Sequence, residues 1–273
     1  MNILQKLSLN EIKQTEINIL KYVVDVCEHY KIRYFLIYGT LLGAVRHEGF
    51  IPWDDDIDIY MPRPDYERFI TIWEENKYDK SSNFHLFFPG KTEDYYYEYA
   101  KVSASNTICD IDIPIKAIKG MGVWIDIFPL DGMPQKYTCY FYTLHYLRQM
   151  RSLSVYTRVP KVNSLKTLSI YIGWKIVKTI GWQFFQKKVV KLSKKYDYKT
   201  SPYLACTVLA SRIKDVYPHS DFDDITQLPF EGTMYNVPAQ YHSILTRTYG
   251  NYMELPPKDQ QISIHSFNAY YIQ

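Results

Sequence analysis

The feature that most constrains the fold is a group of four carboxylates between Asp54 and Asp58, at the start of an alternating run. Side chains in a β-strand alternate between the two faces of a sheet. The run DIDIYM at residues 56–61 therefore predicts a strand with Asp56 and Asp58 on one face and Ile57 in the core behind them. Like charges this close raise one another's pKa unless a cation lies between them. The strand must then begin where water or a cation can reach it.

Two interpretations of this segment remain open, a solvated acidic turn and a metal site. Hard divalent cations such as Mg²⁺ bind one or two carboxylates and complete their coordination with water and substrate phosphate. Upstream, the apolar run RYFLIY at residues 33–38 predicts a buried strand that ends at Gly39-Thr40, where a short helix begins. Glycine alone is typical of a tight turn, but N–H groups at a helix start also bind phosphate. Together the segments predict phosphate at Gly39 and Thr40 and metal at Asp56 and Asp58.

A third carboxylate is predicted at Asp126, inside the apolar run VWIDIFPLD at residues 123–131. An unpaired charge in such surroundings is costly, so Asp126 requires a cation or a proton as its partner. We expect it to serve as a third metal ligand or as a base. Asp131 follows Pro129, and the simpler interpretation of this residue is a turn cap.

Helical and strand patterns both occur along the chain, and we expect an α+β fold with a basic, mainly helical insertion. Apolar residues make up 47% of the sequence and charged residues 22%, which excludes a wholly disordered chain. Helices are predicted at residues 8–30, 40–46 and 64–76, and strands at 33–38, 56–61, 84–88, 95–102 and 123–128. We expect residues 1–140 to form a catalytic core, 141–200 a basic helical insertion, and 201–273 a C-terminal part that completes the catalytic domain.

The predicted insertion is strongly basic. Residues 143–200 hold thirteen Lys and Arg but a single acid, a local net charge of +12, so the remaining residues carry −9. Trp and Phe are interleaved with these lysines in a helical pattern. A solvated helical face and a surface that contacts an anionic membrane leaflet explain this composition equally well.

Other signals bear on partners and on cellular location. No zinc-finger, RNA-recognition or helix-turn-helix pattern occurs, so we expect no nucleic-acid partner. The first ten residues lack a secretory pattern, and no run of about 18 uncharged apolar residues occurs. The four cysteines are widely spaced and are expected to be reduced thiols. We therefore expect a cytoplasmic protein that associates peripherally with the inner face of the cell membrane.

Three segments of the chain resemble the LicD family, which includes fukutin and fukutin-related protein. They are YGTLLGAVRHEGFIPWDDDIDI (38–59), WIDIFPLDG (124–132) and VPAQYHSILTRTYGNYMELPP (237–257), with His265 beyond. The resemblance implies a nucleotidyltransferase (polymerase-β-like) fold. It also implies that Gly39 and Thr40 contact phosphate, that Asp56 and Asp58 bind metal, and that Asp126 is the third carboxylate.

The same resemblance implies a phosphotransferase. Bacterial members resemble phosphorylcholine transferases, which move phosphocholine from CDP-choline to a sugar hydroxyl of teichoic acid or lipopolysaccharide and release CMP. In one respect this chain departs from the family: Gln260-Gln261 stand where a basic residue is expected. If that basic residue contacts the donor phosphates, Arg46 and Lys101 are the candidates to replace it.

The implied mechanism is metal-assisted transfer to a lipid-linked glycan acceptor. Mg²⁺, or Mn²⁺ in its place, is expected between Asp56 and Asp58, with Asp126 completing the site. Proteins hold the quaternary ammonium of choline in boxes of aromatic rings. The abundant aromatic residues, from which the sequence alone does not identify the box, include Trp53, Tyr95, Tyr96, Tyr97 and Tyr99.

Two alternatives to phosphocholine transfer stay open. The first is a related transferase that uses a CDP-polyol or a nucleoside triphosphate as donor. The second is a non-catalytic membrane adaptor with a vestigial acidic turn, against which the intact Asp56, Asp58 and Asp126 speak.

Overall fold

The computed structural model describes residues 3–75, 83–111, 114–158, 161–262 and 267–272. This part of the chain contains both helices and strands, as the sequence predicts. The helices are α1 (Leu9–Tyr30), α2 (Tyr38–His47), α3 (Arg63–Glu74), α4 (Thr138–Val155), α5 (Leu165–Ile180), α6 (Trp182–Ser193) and α7 (Tyr241–Tyr249). The strands are β1 (Ile3–Lys6), β2 (Phe35–Leu36), β3 (Asp58–Pro62), β4 (Phe84–Phe87), β5 (Ala100–Ala104), β6 (Thr107–Ile111), β7 (Trp124–Met133), β8 (Tyr203–Ala205), β9 (Val216–Pro218), β10 (Ile225–Phe230), β11 (Thr233–Pro238) and β12 (Phe267–Ile272).

Helix α1 begins where its capping residues predict. Ser8 caps the helix through the backbone N–H of Glu11, and the Glu11 carboxylate accepts from the Ser8 N–H at 2.7 Å. The helix ends at Lys31, whose left-handed backbone (φ 52°) lets its N–H donate to helix carbonyls. The buried face of α1 packs on β5 and β7.

A mixed central sheet carries the acidic residues. Its strand order is β2-β3-β7-β5-β4, and β8, followed by β9, pairs with the C-terminal half of β7. Strands β3 and β7 are parallel, and their register places Asp58 opposite Asp126. On the other side of β7, antiparallel β5 places Lys101 opposite the same Asp126. Directly opposed residues share a face of a sheet, so these three side chains are neighbours.

All five predicted strands have different bounds in the structure. The strand expected at residues 33–38 is reduced to β2, because α2 already begins at Tyr38. Two further differences change the surroundings of candidate residues. The strand expected from Asp56 begins at Asp58, so Asp56 lies in the loop that approaches it. The strand expected at residues 95–102 begins at Ala100, because Tyr95 and Tyr96 pack as a loop in a separate buried cluster. The Tyr95 hydroxyl donates to the carbonyl of Tyr99 and closes that loop.

The basic segment folds as α4, α5 and α6 and is attached by buried polar contacts to the loop that precedes β5. Arg151 of α4 donates to both carboxylate oxygens of Glu98, at 2.8 and 2.7 Å. Gln186 of α6 donates to the carbonyls of Tyr95 and Tyr97, each at 2.7 Å. Arg151 is therefore buried, and it does not contribute to the exposed basic surface that the composition of residues 143–200 suggests. Among the described helices, none is long and apolar enough to cross a membrane.

Candidate active site

A cleft of about 590 Å³ opens beside the start of β3. Its walls come from α2, from the acidic loop before β3, and from two C-terminal segments near residues 209–215 and 249–256. The lining residues are Tyr38, Gly39, Leu42, Arg46, Ile51, Trp53, Asp54, Asp56, Asp58, Leu209, Ser211, Arg212, Asp215, Tyr249, Asn251, Tyr252, Glu254 and Pro256.

The two residues predicted to bind phosphate have different positions. Gly39 lines the cleft in the first turn of α2, where a Cβ would lie 2.6 Å from Asp54 Oδ2. Any larger residue at this position would require the Asp54 carboxylate to move. Thr40 is buried, and its hydroxyl accepts from the backbone N–H of Asp58 at 2.8 Å. The Thr40 side chain therefore joins α2 to the start of β3 and is not among the residues that line the cleft.

Three of the four clustered carboxylates reach the cleft, namely Asp54, Asp56 and Asp58. Burial raises the pKa of Asp58 well above its ordinary range, and the negative charges of Asp56 and Asp126 raise it further. The positive charge of Lys101 acts in the opposite direction. The carboxyl group of Asp58 is thus placed where a cation would stabilise its charged form.

Lys101 is the ion-pair partner of Asp126. Its side chain is only 3% exposed, and its ammonium bonds directly to the Asp126 carboxylate. The ammonium also lies over the rings of Tyr97 and Trp124, 4.7 and 4.6 Å from their centroids. The sequence required a cation or a proton beside Asp126, and the structure supplies a buried lysine. Lys101 is absent from the cleft lining, so its expected contact with donor phosphates finds no support.

A buried acid on α1 was missed in the sequence. Glu16 is 2% exposed, and its Oε2 has no hydrogen-bond partner among the described residues. Burial raises the pKa of Glu16 well above its ordinary range, and Asp56 is the largest of the nearby charges that add to this effect. Glu16 follows Ile12 by four residues and precedes Val23 by seven, which places it on the apolar face of the helix. A carboxylate on the apolar face of a helix is the sequence signal that could have identified Glu16 as a buried acid.

Two arginines line the cleft. Arg46, expected from the sequence, donates from Nη1 to the Tyr252 carbonyl at 2.9 Å, and burial lowers its pKa. Arg212, which the sequence did not single out, bonds through Nε to Asp215 at 2.9 Å. Arg212 lies in the C-terminal part, where Gln260-Gln261 replace the expected basic residue. These glutamines do not line the cleft, and His265 lies outside the described residues.

The carboxylates suit an ion that the substrate helps to coordinate. In the described residues, no three His, Cys, Asp or Glu side chains are close enough together to hold a metal ion by themselves. Mg²⁺ needs only one or two carboxylates when phosphate and water complete its coordination. Asp56 and Asp58 line one cleft, and burial, with the nearby charges of Asp56 and Asp126, raises the pKa of Asp58. This pair therefore fits such an ion.

Asp131 has a structural place different from the expected turn cap. It lies within β7, is 1% exposed, and bonds to Arg63 of α3 at 2.6 Å and to Thr207. The strand continues past Pro129 because its last residues pair with β8. The ion pair therefore joins α3, β7 and the segment after β8.

Similarity to known proteins shows the class and the family of this protein. Residues 31–162 match the family model described as "LicD/FKTN/FKRP, nucleotidyltransferase domain". The chain is 32% identical over 272 residues to the lipopolysaccharide cholinephosphotransferase LicD of Haemophilus influenzae, covering 98% of this chain and 99% of that protein. The human and mouse ribitol 5-phosphate transferases FKRP are 54% identical over 39 residues, or 14% of this chain and 8% of theirs. The protein is a transferase. It belongs to the LicD family.

Proposed function

We propose that this protein transfers phosphocholine from CDP-choline to a sugar hydroxyl of a lipid-linked cell-surface glycan precursor, either teichoic acid or lipopolysaccharide, and releases CMP. The observation that carries the proposal is the full-length similarity to a cholinephosphotransferase, together with the acids and arginines of one cleft. We place the catalytic core in the nucleotidyltransferase superfamily. The parallel pairing of Asp58 with Asp126 supports that placement.

In this proposal the cleft binds the pyrophosphate of the donor. Asp56 and Asp58 would hold Mg²⁺, which supplies Lewis-acid stabilisation of the phosphate oxygens when bound. Arg46 and Arg212 offer charge-assisted hydrogen bonds to the same group. The first turn of α2 contributes Tyr38 and Gly39 to the cleft wall, and its backbone N–H groups would bind the phosphates there.

The proposed step is an in-line displacement at the phosphorus that bears choline. The acceptor oxygen forms a bond to this phosphorus, and the bond from phosphorus to the oxygen that CMP retains is broken. The hydroxyl proton passes to a carboxylate base. Asp126 is the proposed third carboxylate for this role: it is not among the cleft-lining residues, but it lies opposite Asp58 on the neighbouring strand and is ion-paired to Lys101.

Aromatic rings on the cleft walls support choline as the transferred group. Of the rings that the sequence offered, Tyr95, Tyr96 and Tyr99 are buried in the core, whereas Trp53 lines the cleft. Tyr249 and Tyr252 line it as well. A quaternary ammonium binds to such faces by cation–π attraction. We therefore assign the choline group to Trp53 and these two tyrosines.

A donor panel tests the proposal. Purified protein with Mg²⁺ is offered CDP-choline, CDP-ribitol, CDP-glycerol and CTP in turn, and CMP release is measured with and without an acceptor glycan. We expect acceptor-dependent CMP release from CDP-choline, and none in EDTA. Trp53→Leu should raise KM for CDP-choline more than for any polyol donor, because the polyols lack a cation.

The second candidate is transfer from a CDP-polyol. The 54% identity to the ribitol 5-phosphate transferases favours it, although it covers 39 residues only. Preference for CDP-ribitol in the donor panel would establish this alternative and exclude phosphocholine. True nucleotidyl transfer from CTP would instead release pyrophosphate.

A further inference from the structure

Exposed apolar side chains are concentrated in the basic segment. Of the nineteen large apolar residues that are exposed in the described structure, twelve lie between Tyr142 and Phe184. Single exposed apolar residues are ordinary on a protein surface, but a contiguous set marks an interaction surface.

Helix α5 contributes the most regular part of this surface. Five of its apolar residues recur at spacings of three or four positions and are 40–86% exposed: Leu165, Leu168, Ile172, Ile176 and Ile180. At 100° per residue they occupy an arc of about 120° on one side of the helix. We call these five residues the α5 ridge. Val177, on a different side of the helix, is buried.

Cations flank the ridge, and carboxylates are absent from its helix. Neither α5 nor α6 contains an Asp or Glu. The ammonium groups of Lys175 and Lys178 lie over the rings of Tyr171 and Trp174, at 5.2 and 4.7 Å from their centroids. An apolar stripe with lysines at its side and Tyr and Trp at its border is the pattern of a helix that lies in a membrane interface.

We propose that α5 lies in the plane of an anionic membrane leaflet, with the α5 ridge in the apolar boundary and its lysines at the lipid headgroups. A helix of sixteen residues is about 24 Å long and too short to span a bilayer, which fits an in-plane position. Attraction thus comes from two sources, apolar burial of the α5 ridge and the charge of the lysines beside it.

A second copy of the chain fits this surface less well. A symmetric dimer through α5 would bring two segments with net charge +12 together, and neither α5 nor α6 offers a carboxylate to pair with the lysines of the other copy. An anionic leaflet supplies the opposite charge. This inference does not depend on which group the enzyme transfers.

Vesicle binding by matched variants tests the proposal. The ridge variant is Leu168→Gln/Ile172→Gln/Ile176→Gln, and its control is Ile225→Gln/Met234→Gln, in which the replaced residues are 42% and 52% exposed on the β10–β11 hairpin. Binding to vesicles of phosphatidylglycerol and phosphatidylcholine is measured by co-sedimentation. We expect the ridge variant to bind at least tenfold more weakly and the control to bind like the wild type.

Salt separates the two sources of attraction. Lys175→Gln/Lys178→Gln should weaken binding at low salt and have little effect at high salt, where a fraction of wild-type binding persists through the ridge. Wild-type protein that does not bind these vesicles, or a ridge variant that binds as tightly as the wild type, would overturn the proposal.

Hydrogen exchange on the unmodified protein supplies a second measurement. Peptides from Leu165–Ile180 should gain protection when vesicles are added, and peptides from β10 and β11 should not. Wild-type protein that is dimeric in sedimentation velocity, combined with a monomeric ridge variant, would assign the α5 ridge to self-association and overturn membrane docking.

Discussion

At the scale of single residues, Lys101 offsets part of the negative charge of the clustered carboxylates. Its ammonium is buried against Asp126 and enclosed by aromatic rings, and its charge opposes the raised pKa of Asp58. Removal of one partner from a buried ion pair leaves an uncompensated charge, which is strongly destabilising. Lys101 therefore supplies part of the positive charge that a metal ion would otherwise provide.

We expect Lys101→Met to lower the free energy of unfolding in EDTA by about 3 kcal/mol. Mg²⁺ should then stabilise the variant more than the wild type, because the ion replaces the lost charge. Urea unfolding with and without Mg²⁺ measures both effects. In a cycle with Asp126→Asn, the double variant should lose less than the sum of the two single losses. Strictly additive losses would show that the pair is not coupled.

Glu16 makes stability depend on pH. Its pKa in the folded protein is raised above the ordinary 4.5, so between the two values the folded protein holds a proton that the unfolded chain has lost. Raising the pH through this window therefore lowers the free energy of unfolding, by about 1.4 kcal/mol for each unit of pKa difference. Glu16→Gln has no carboxyl group to titrate at this position, so its free energy of unfolding should not fall in this pH window.

The measurement is Tm in EDTA as a function of pH. Glu16→Gln should gain in Tm relative to the wild type as pH rises above about 4.5. Glu28→Gln, an exposed position on the same helix, should follow the wild type throughout. A constant difference between Glu16→Gln and the wild type across the pH range would contradict the raised pKa.

At the scale of elements, the ion pair of Arg151 and Glu98 fixes the basic helices to the loop that precedes β5. Both side chains are buried and are joined by two hydrogen bonds. Arg151→Met should cost about 3 kcal/mol in urea unfolding, since it leaves Glu98 charged and buried, and Arg151→Met/Glu98→Gln should recover part of that loss. The exposed Lys194–Glu67 pair supplies the control, because Lys194→Met should cost less than about 1 kcal/mol. Equal losses for Arg151→Met and Lys194→Met would contradict this assignment.

Short sequence patterns predicted the positions of helices and strands better than they predicted which strands pair with one another. The capping box of α1 and the burial of Ile57 and Ile59 follow from patterns of a few residues, and both are present in the structure. The alternation itself is not, because every residue of β3 is buried. The pairing of Asp58 with Asp126 joins residues 68 positions apart. The Lys101–Asp126 pair and the entry of Arg212 into the cleft likewise depend on sheet register and on long-range packing, which composition and spacing do not encode. β8 has three residues, too few to show a periodic pattern.

At the scale of the whole molecule, donor and metal should stabilise the fold through the cleft. A ligand at one hundred times its Kd adds about 2.7 kcal/mol to the free energy of unfolding. We expect this increase with CDP-choline and Mg²⁺, and we expect Asp58→Asn to remove most of it. Asp25→Asn, an exposed position on α1, should retain it. Thermal shift assays measure both variants, and a full shift in Asp58→Asn would exclude this carboxylate from the binding site.

Phosphocholine transfer is tested most directly by determining which phosphorus atom of CDP-choline the acceptor hydroxyl attacks. Mass spectrometry of the products distinguishes the two outcomes. Attack at the choline-bearing phosphorus gives CMP and a phosphocholine-modified sugar. Attack at the cytidine-bearing phosphorus gives free phosphocholine and a CMP-modified sugar. We expect CMP and phosphocholine on the glycan, with neither product formed in EDTA or by Asp58→Asn. Free phosphocholine with a CMP-modified glycan, or undiminished product from Asp58→Asn, would contradict this expectation.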